Sequence, residues 1–452
     1  MHFFGLLANS FGFDSPEVNS IATIAVVITF VGVAVPSAFI FTVIGGLSFA
    51  VVVARFSRVA PSAAGLQEFI RRGLGDIAGD FGAVAYVAGM GVFIGAGGSL
   101  AATTIPGLLQ SWFPGSHGFL LSHWFAWLVV VILVCATLAY LGVEISSRIL
   151  LLLSGVGVGS IVVLDLSILI RNGWHGLLWS SLLPWHSSGL SISTWIIGLG
   201  LAFSCVAGSE GAVFLAEEAG ADKRTVARAV IGCVSVAVAL YLLTSFAYVS
   251  GLSPGQIANA GTLGGTGVVR ELSARFLSSW YGTWLLVILA TAATTSVLAI
   301  FNAVSRLMYS LGREGKLPRI VGATHPRHHT PYAAISILAV ANIGLAIAGL
   351  IWRGGSLAGG AFVYPWVLLF GIVVILVTYG VLAIAALRYE WQTRASQSGA
   401  VKMVWAFLPG LVMLGFCAIC LYSQIHPAPP PPYNQAPFAA IGWLVVAALA
   451  AT

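Results

Sequence analysis

Charged side chains are scarce in this sequence. Only 8% of its 452 residues are Asp, Glu, Lys or Arg, whereas a soluble domain carries about 25%. Hydrophobic residues make up 59% of the chain, and the mean hydropathy is +0.99. This composition predicts a polytopic membrane protein and leaves hardly any residues for a separate soluble domain.

Other absences exclude further classes of protein. No G-x-x-x-x-G-K-[ST] phosphate loop occurs, which disfavours a primary pump. No His-Glu-x-x-His pattern occurs, and the one His-x-x-x-His spacing, His325 with His329, lies in a basic loop, which disfavours a membrane-embedded metalloenzyme. The long apolar runs do not alternate with polar residues, which disfavours a β-barrel. The chain starts without a basic region or a small-residue cleavage site, so we expect no cleavable signal peptide.

The net charge of +6 does not indicate a nucleic-acid partner, because the basic residues lie in short loops between apolar runs. The five cysteines all fall within apolar runs, which favours packing over a metal or redox role. We therefore expect no metal site and no cofactor, apart from a coupling ion (H⁺ or Na⁺).

Twelve apolar segments are long enough for a hydrocarbon core of about 30 Å, which requires about 20 apolar residues per helix. This predicts an all-α integral membrane protein. The expected segments, numbered first to twelfth, are 2–33, 35–55, 80–112, 124–143, 146–170, 191–216, 226–250, 282–310, 332–351, 362–386, 403–424 and 438–452.

Lys and Arg are distributed unequally between the loops. Of the 20, 16 lie in one set of loops, and the other set holds only Arg171, Arg270, Arg275 and Arg353. The positive-inside rule places the richer set in the cytoplasm. We therefore expect a multi-pass protein of the cytoplasmic (inner or plasma) membrane with both termini in the cytoplasm.

Two segments contain residues that a plain membrane anchor would avoid. The first segment has Asp14-Ser15-Pro16-Glu17-Val18-Asn19, in which proline lacks an N–H and the polar side chains compete for backbone bonds. The sixth has Cys205-Val206-Ala207-Gly208-Ser209-Glu210. An ionisable group at membrane depth is expensive unless it is paired or hydrated, so these carboxyl groups are functional candidates. The alternative is that each proline or glycine only kinks a helix.

The two interruptions are five helices apart. Broken helices at matching positions of two halves mark the substrate site of inverted-repeat transporters. We therefore expect one transmembrane domain over 1–452, with a five-helix repeat in 1–170, a second in 191–386 and two additional helices in 403–452. The last helix is expected to be short or truncated, because the chain stops within an apolar run.

Three motifs resemble those of amino acid–polyamine–organocation permeases. Residues 203–219, FSCVAGSEGAVFLAEEA, are similar to the sixth-helix pattern F-x-G-x-E…EE of that superfamily. Residues 301–318, FNAVSRLMYSLGREGKLP, are similar to its N-x-x-S-R…R-D-G-x-x-P pattern. Pro61-Ser62-Ala63-Ala64-Gly65 with Arg72-Gly73-Leu74-Gly75 resembles the loop after the second helix. The resemblance extends over nearly the whole chain.

The resemblance implies a leucine-transporter-like fold, with helices one, three, six, eight and ten around the substrate. It also implies a secondary transporter that moves amino acids or related amines by alternating access. The chain departs from the superfamily in lacking a G-S-G-I-F loop in the first helix. Asp14 or Glu17, if ionised, would repel a substrate carboxylate and would suit a cationic substrate or a protonated carboxyl group better.

The predicted substrate site combines both interruptions. Backbone groups of Ser15, Pro16, Glu17, Val18 and Asn19, and of Cys205, Val206, Ala207 and Gly208, are expected to bind the polar head of the substrate. We expect Asp14, Glu17 or Glu210 to engage an amine or a proton, and Phe203 and Ser209 to shape the pocket. We expect Gly208 to tolerate no bulky side chain.

The coupling ion stays open between a proton and sodium. Asp14, Glu210 and Asp165 are candidate proton carriers, although Asp165 is also placed to pair with Arg171. Thr294, Thr295 and Ser296 in the eighth segment could offer hydroxyl oxygens to sodium, or could bond back to the preceding turn. The fifth segment has no lysine, which some proton-coupled members carry there.

Two other hypotheses concern function. One is a sensor or channel on the same fold, although two interruptions fit a closed midplane site better than a continuous pore. The other is a membrane-embedded enzyme, which would need a nucleophile with a base, or metal ligands, at membrane depth. The expected partners are a small-molecule substrate and membrane lipid. The sequence does not indicate an oligomeric state.

Overall fold

The computed structural model describes residues 3–59, 65–113, 123–142, 147–184, 190–215, 223–394, 400–426 and 433–452. Within these ranges the chain forms helices and no β-strand. Residues 61–64 and 216–222, which carry parts of two of the motifs, lie outside them. The helices are α1 (Phe3–Asp14), α2 (Ile24–Val31), α3 (Val35–Val59), α4 (Leu66–Leu74), α5 (Asp76–Gly91), α6 (Phe93–Trp112), α7 (Trp124–Leu141), α8 (Ser147–Gly176), α9 (Ile192–Ser204), α10 (Lys223–Gly251), α11 (Ala260–Phe276), α12 (Ser279–Arg313), α13 (Tyr332–Arg353), α14 (Leu357–Arg394), α15 (Ala400–Ile425) and α16 (Gln435–Ala450).

Each of the twelve predicted segments is mainly helical over its described residues. In the described residues, ten stretches are long and apolar enough to cross a membrane. The stretch Phe3–Val59 has 57 residues and contains both the first and the second segment. The two segments are separated at Gly32, whose φ of +55° interrupts the helix. The twelfth segment is the shorter apolar helix α16. The third segment comprises α5 and α6, and the eighth is α12.

The first segment is broken after α1. Ser15 adopts a left-handed backbone conformation with φ 50° and ψ 68°, which is uncommon for a residue other than glycine. A three-residue helix, Pro16–Val18, follows, and proline at its first position is tolerated because that N–H would be unpaired in any case. The turn Asn19–Thr23 is then a π-helix before α2 resumes regular geometry. The sequence predicted the interruption but not the π-helix.

The sixth segment is broken after α9. Residues 205–208 form turns, and Gly208 has φ +105°, which favours glycine over any L-residue. A 3₁₀ helix then covers Ser209–Leu215. A Cβ atom on Gly208 would lie 2.9 Å from the Phe13 carbonyl oxygen and 3.0 Å from Asp14 Cα. Gly208 therefore serves both the turn and the close approach of the two broken segments.

Among the described residues, two helices of more than eight residues occur in loops for which the sequence predicted no structure. One is α11, between the seventh and eighth segments, and the other is α4, between the second and third. Arg71 on α4 contacts four carboxylates, at 2.8 Å from Glu314, 3.3 Å from Asp80, 3.5 Å from Asp76 and 3.7 Å from Glu68. These ion pairs attach α4 to the ends of α5 and α12.

The acidic neighbours of Arg71 stabilise its positive charge. Partial burial lowers the pKa of its guanidinium, but hydrogen bonds and charge attraction from Glu314 and Asp80 outweigh that effect and hold the pKa above its ordinary value. Lys316, beyond the end of α12, also pairs with Asp80. The two cations therefore share the Asp80 carboxylate between α4 and the residues that follow α12.

Candidate functional site

The two broken segments meet each other in the interior of the protein. Asn9 Nδ2 donates a hydrogen bond to the Gly211 carbonyl oxygen at 2.9 Å, and the Ala212 N–H donates to Ser10 Oγ at 3.0 Å. A Cβ atom on Gly211 would lie 3.0 Å from Phe13 Cβ. Side chains of the first segment thus bond backbone groups that leave regular helical geometry in the sixth.

Asn19 connects the two interruptions a second time. Its side-chain amide lies 3.1 Å from the Asp14 carbonyl oxygen, 3.2 Å from the Cys205 carbonyl oxygen and 3.0 Å from the Tyr241 hydroxyl. Its Oδ1 accepts a hydrogen bond from the Thr23 hydroxyl at 3.1 Å. Asn19 therefore supplies donors to carbonyl groups that the interruptions leave without a helical partner.

Asp14 is the last residue of α1, and its side chain is buried. The Tyr241 hydroxyl donates a hydrogen bond to Oδ2 at 3.1 Å. Oδ1 has no hydrogen-bond partner among the described residues, although it is inaccessible to solvent. Burying a carboxyl group with an unbonded oxygen lowers the stability of the fold. Because Asp14 lies beside a cavity, we interpret it as a functional residue.

A central cavity of about 80 Å³ lies next to Asp14. It is bounded by the first, third, sixth, eighth and tenth segments. Its lining consists of Phe13, Asp14, Ser15, Val18, Asn19, Thr23, Met90, Phe93, Ala96, Gly97, Ser204, Ala207, Ser296, Ile300, Tyr364, Leu368 and Ile372. Of the described residues in this lining, Asp14 is the one acidic residue and none is basic. The site can therefore attract positive charge and provides several hydroxyl and amide groups.

Glu210 does not line the central cavity. It is fully buried, and its Oε1 accepts hydrogen bonds from the Tyr86 hydroxyl at 2.7 Å and the Tyr379 hydroxyl at 2.8 Å. Its Oε2 accepts from the Gly208 N–H at 3.0 Å. The carboxyl group thus ties the sixth segment to α5 and α14 and holds the turn at Gly208.

Glu17 lies on the opposite side of the first interruption from the central cavity. It lines a lateral cavity of about 340 Å³ between the first, fifth and eighth segments, together with Ser154 and Thr295. A Cβ atom on Gly157 would lie 2.7 Å from Glu17 Cγ, so the carboxyl group packs closely on α8. Ser15 lines both cavities.

Other predicted residues of the sixth segment pack against neighbouring helices. Phe203 is 1% exposed, and its ring centroid lies 5.5 Å from that of Phe416 on α15. Val206 packs towards α3, where a Cβ atom on Gly46 would be 3.2 Å from its Cγ2. Cys205 and Ser209 are buried. Phe203, Cys205, Val206, Gly208 and Ser209 are therefore absent from the cavity lining, and of the predicted sixth-segment residues Ala207 is the one in it.

The predicted ion ligands of the eighth segment are placed differently from one another. The Thr294 hydroxyl donates to the Ala290 carbonyl oxygen at 2.8 Å, and the Thr295 hydroxyl donates to that of Thr291 at 3.1 Å. Such back-bonding is common for Thr in membrane helices. Ser296 lines the central cavity. In the described ranges, no group of three or more His, Cys, Asp or Glu side chains is placed to hold a metal ion.

Asp165 lies away from both cavities. Its side chain is fully buried in α8, and the Thr244 hydroxyl on α10 donates to its Oδ2 at 2.7 Å. The alternative pairing with Arg171 is not observed among the described residues, where Arg171 is exposed. Asp165 therefore belongs to the contact between the fifth and seventh segments.

Sequence reasoning did not identify the tyrosines of the site. Tyr86, Tyr241 and Tyr379 donate to the buried carboxyl groups, and Tyr364 lines the central cavity. A tyrosine within an apolar run carries a hydroxyl that needs a partner when buried, and this feature marks such residues as candidates.

These features define a class of protein. Two broken helices that meet at a cavity with an acidic side chain in its lining are the arrangement of a membrane transporter with a midplane site. A family model described as amino acid permease matches residues 8–449. The chain belongs to that family, which lies within the amino acid–polyamine–organocation superfamily.

The curated relatives are transporters as well. An uncharacterized transporter of Mycobacterium tuberculosis is 26% identical over 315 residues, which cover 69% of this chain and 66% of the relative. The cystine/glutamate transporter of Homo sapiens is 31% identical over 127 residues, which cover 28% of this chain and 24% of that transporter. The chain thus spans 66% of the length of the mycobacterial relative. The family and its relatives support a transporter and do not support an enzyme.

The fold has known structural counterparts. A crystal structure of the Eremococcus coleocola manganese transporter, in complex with an aromatic bis-isothiourea substituted compound, aligns with a TM-score of 0.62. The alignment covers 99% of this chain and 95% of that one, at 14% identity. This likeness concerns the fold alone and confirms the leucine-transporter-like fold class.

Proposed function

We propose that this transporter is a secondary active permease that moves amino acids or related amines across the cytoplasmic membrane by alternating access. The observation that carries the proposal is that Asp14 lines a cavity between two broken helices and that its Oδ1 has no hydrogen-bond partner among the described residues. The five segments around that cavity are those that the superfamily places around its substrate. Both chain termini would lie in the cytoplasm.

The charge of the central cavity supports a substrate with a cationic end. Asp14 can accept a hydrogen bond from an ammonium group through Oδ1, and no basic side chain in the lining competes for it. Such a contact would satisfy the carboxyl oxygen that has no partner among the described residues. Asn19 and Tyr241 hold the Asp14 region in place.

The polar head of the substrate would also meet backbone groups. Ser15 and Ala207 line the cavity at the two interruptions. The Ser15 N–H donates to the Phe11 carbonyl oxygen at 2.8 Å and the Ala207 N–H donates to that of Ser204 at 3.1 Å, so a ligand would bind these backbone groups by displacing those bonds. Apolar and aromatic walls, including Met90, Phe93 and Ile300, would contact the rest of the substrate.

The volume of the central cavity favours a small substrate. Drug-sized ligands occupy pockets of about 300–1,000 Å³. A cavity of about 80 Å³ is closer to the space needed by a small amine or a small amino acid in a closed site. Access of the substrate to each side of the membrane in turn would require the first and sixth segments to move relative to the other helices.

Glu210 and Glu17 have different roles in this proposal. Glu210 already accepts three hydrogen bonds, so it stabilises the sixth interruption and acts on the substrate only through the position of Gly208. Glu17 faces the lateral cavity and would contact a ligand there rather than in the central cavity.

The test is uptake of labelled amino acids and small amines by proteoliposomes, with a sodium gradient, a proton gradient or neither. We expect saturable uptake of at least one cationic or zwitterionic amine. Asp14→Asn should abolish it, whereas Asp76→Asn, which alters an exposed carboxyl group on α5, should retain it. Uptake in Asp14→Asn equal to wild type would contradict the assignment. Absence of uptake across the panel would instead favour the sensor or channel hypothesis.

A further inference from the structure

The buried carboxyl groups of the membrane segments differ in the number of donors that they receive. Glu210 accepts two tyrosine hydroxyls and one backbone N–H. An ionised carboxylate only accepts hydrogen bonds, so this set of donors suits an ionised Glu210. Asp165 is equally buried but accepts one hydrogen bond, from Thr244. The two environments therefore favour opposite charge states.

Two polar atoms near the Asp165 carboxyl group lack partners among the described residues. They are Asp165 Oδ1 and the Tyr248 hydroxyl, and both side chains are fully buried. Tyr248 follows Thr244 by four residues on α10, so the two side chains lie on the same face of that helix. Because Thr244 bonds Asp165, this face brings Tyr248 towards the same carboxyl group.

The charged and titratable groups on the helices around Asp165 leave its charge without compensation. Tyr281 on α12 donates its hydroxyl to the Ser160 carbonyl oxygen at 2.7 Å. Arg275 on α11 donates to the Gly251 carbonyl oxygen at 3.0 Å. Arg171 on α8 itself is exposed, and Glu17 contacts α8 about two turns earlier, at Gly157. None of these groups forms an ion pair with Asp165 in the described part of the chain.

We propose that Asp165 is a proton-binding site of the transporter, separate from the central cavity. A carboxylate at membrane depth is energetically unfavourable without a cation, whereas a neutral carboxyl group does not carry this cost. The neutral group has one O–H donor, and a small side-chain rotation would let the Tyr248 hydroxyl accept from it, since neither atom has a partner among the described residues. The α8–α10 contact described here is therefore the protonated form.

Proton exchange at Asp165 would accompany movement of α8 relative to α10. Separation of the helices would admit water to the carboxyl group, whose O–H bond then breaks, with transfer of the proton to water and formation of a carboxylate. Closure would require the reverse reaction. Along α8 the exposed fraction of the side chain is 45% at Leu166, beside Asp165, and rises to 76% at Ile170 near the end of the helix. The link to transport rests on the proposed permease function, but the protonation itself does not.

Infrared difference spectroscopy of the full chain in lipid vesicles, without substrate, tests the protonation. The carbonyl stretch of a neutral carboxyl group is separate from the bands of a carboxylate. We expect Asp165→Asn to remove one neutral-carboxyl band at neutral pH. Asp76→Asn, at an exposed position, should remove none. If the Asp165→Asn spectrum keeps every neutral-carboxyl band and loses a carboxylate band instead, the proposal is wrong.

Two further variants keep the test decisive if Asp165→Asn does not fold. Thr244→Val removes the hydroxyl that bonds Oδ2 and should shift the same band, because the carbonyl loses a hydrogen bond. Tyr248→Phe should also shift it, through the O–H side. Unshifted neutral-carboxyl bands in both variants would overturn the proposal. Failure of the uptake panel would leave the infrared result unaffected, so the two proposals fail separately.

Discussion

At the scale of single residues, Gly208 carries two constraints that reinforce each other. Its φ of +105° excludes most side chains, and the Phe13 carbonyl oxygen and Asp14 Cα occupy the space that a Cβ atom would need. Backbone atoms cannot rotate away as a flexible side chain could. The sequence motif marked this glycine, but only the structure reveals the contact with Asp14.

Gly208→Val should therefore separate the two interruptions and abolish substrate binding. We expect a loss of stability of about 1–3 kcal/mol, because a non-glycine residue is strained in this region of backbone conformations. Substrate binding and thermal unfolding in detergent measure the two effects. The matched control is Gly155→Val on α8, where no atom lies within 4 Å of an added Cβ. Wild-type affinity in Gly208→Val would contradict the account.

Glu210 offers a second test among single residues. Glu210→Gln replaces an acceptor oxygen by an NH₂ group, which cannot accept from the Gly208 N–H or from a tyrosine hydroxyl. Leaving a buried donor unbonded costs about 1–3 kcal/mol. Thermal unfolding should detect this destabilisation, whereas Glu271→Gln, at an exposed position on α11, should change stability by less than about 0.5 kcal/mol. Equal losses of stability in Glu210→Gln and Glu271→Gln would contradict the role of Glu210 in stabilising the sixth interruption.

At the scale of elements, the short helix α4 is held by charge rather than by membrane packing alone. Arg71 connects it to Asp80 on α5 and to Glu314 beyond the end of α12. The residue is partly buried, so its ion pairs are screened less than those at an exposed surface. Arg72, on the same helix, makes a more exposed pair with Glu68 at 2.9 Å.

Arg71→Gln should destabilise the protein by about 1–3 kcal/mol, since it leaves several carboxylates without their shared cation. Arg72→Gln should change stability by no more than about 1 kcal/mol, the usual contribution of an exposed ion pair. Thermal unfolding at low and high salt measures the stability loss of both variants. High salt should reduce the difference between the two losses. A larger effect of Arg72→Gln than of Arg71→Gln would refute the interpretation of α4.

At the scale of the whole molecule, the sequence predicted the architecture because membrane insertion constrains it strongly. Run lengths predicted the segments, and Pro16 and Gly208 predicted the interruptions. The pairing of Glu210 with Tyr86 and Tyr379 was not predictable, because these residues are 124 and 169 positions away and helical periodicity does not specify which helices pack together. The left-handed backbone at Ser15 breaks the helical register between Asp14 and Glu17, so sequence spacing did not show that the two residues face different cavities.

The most direct test of the central claim is the accessibility of the central cavity from each side of the membrane. Ser296→Cys would be introduced into a chain whose five native cysteines are replaced, and labelled with a membrane-impermeant thiol reagent in oriented vesicles. Alternating access predicts labelling from either side, slowed by substrate. Labelling from one side only, or labelling that no transported amine slows, would contradict a substrate site between the two broken helices.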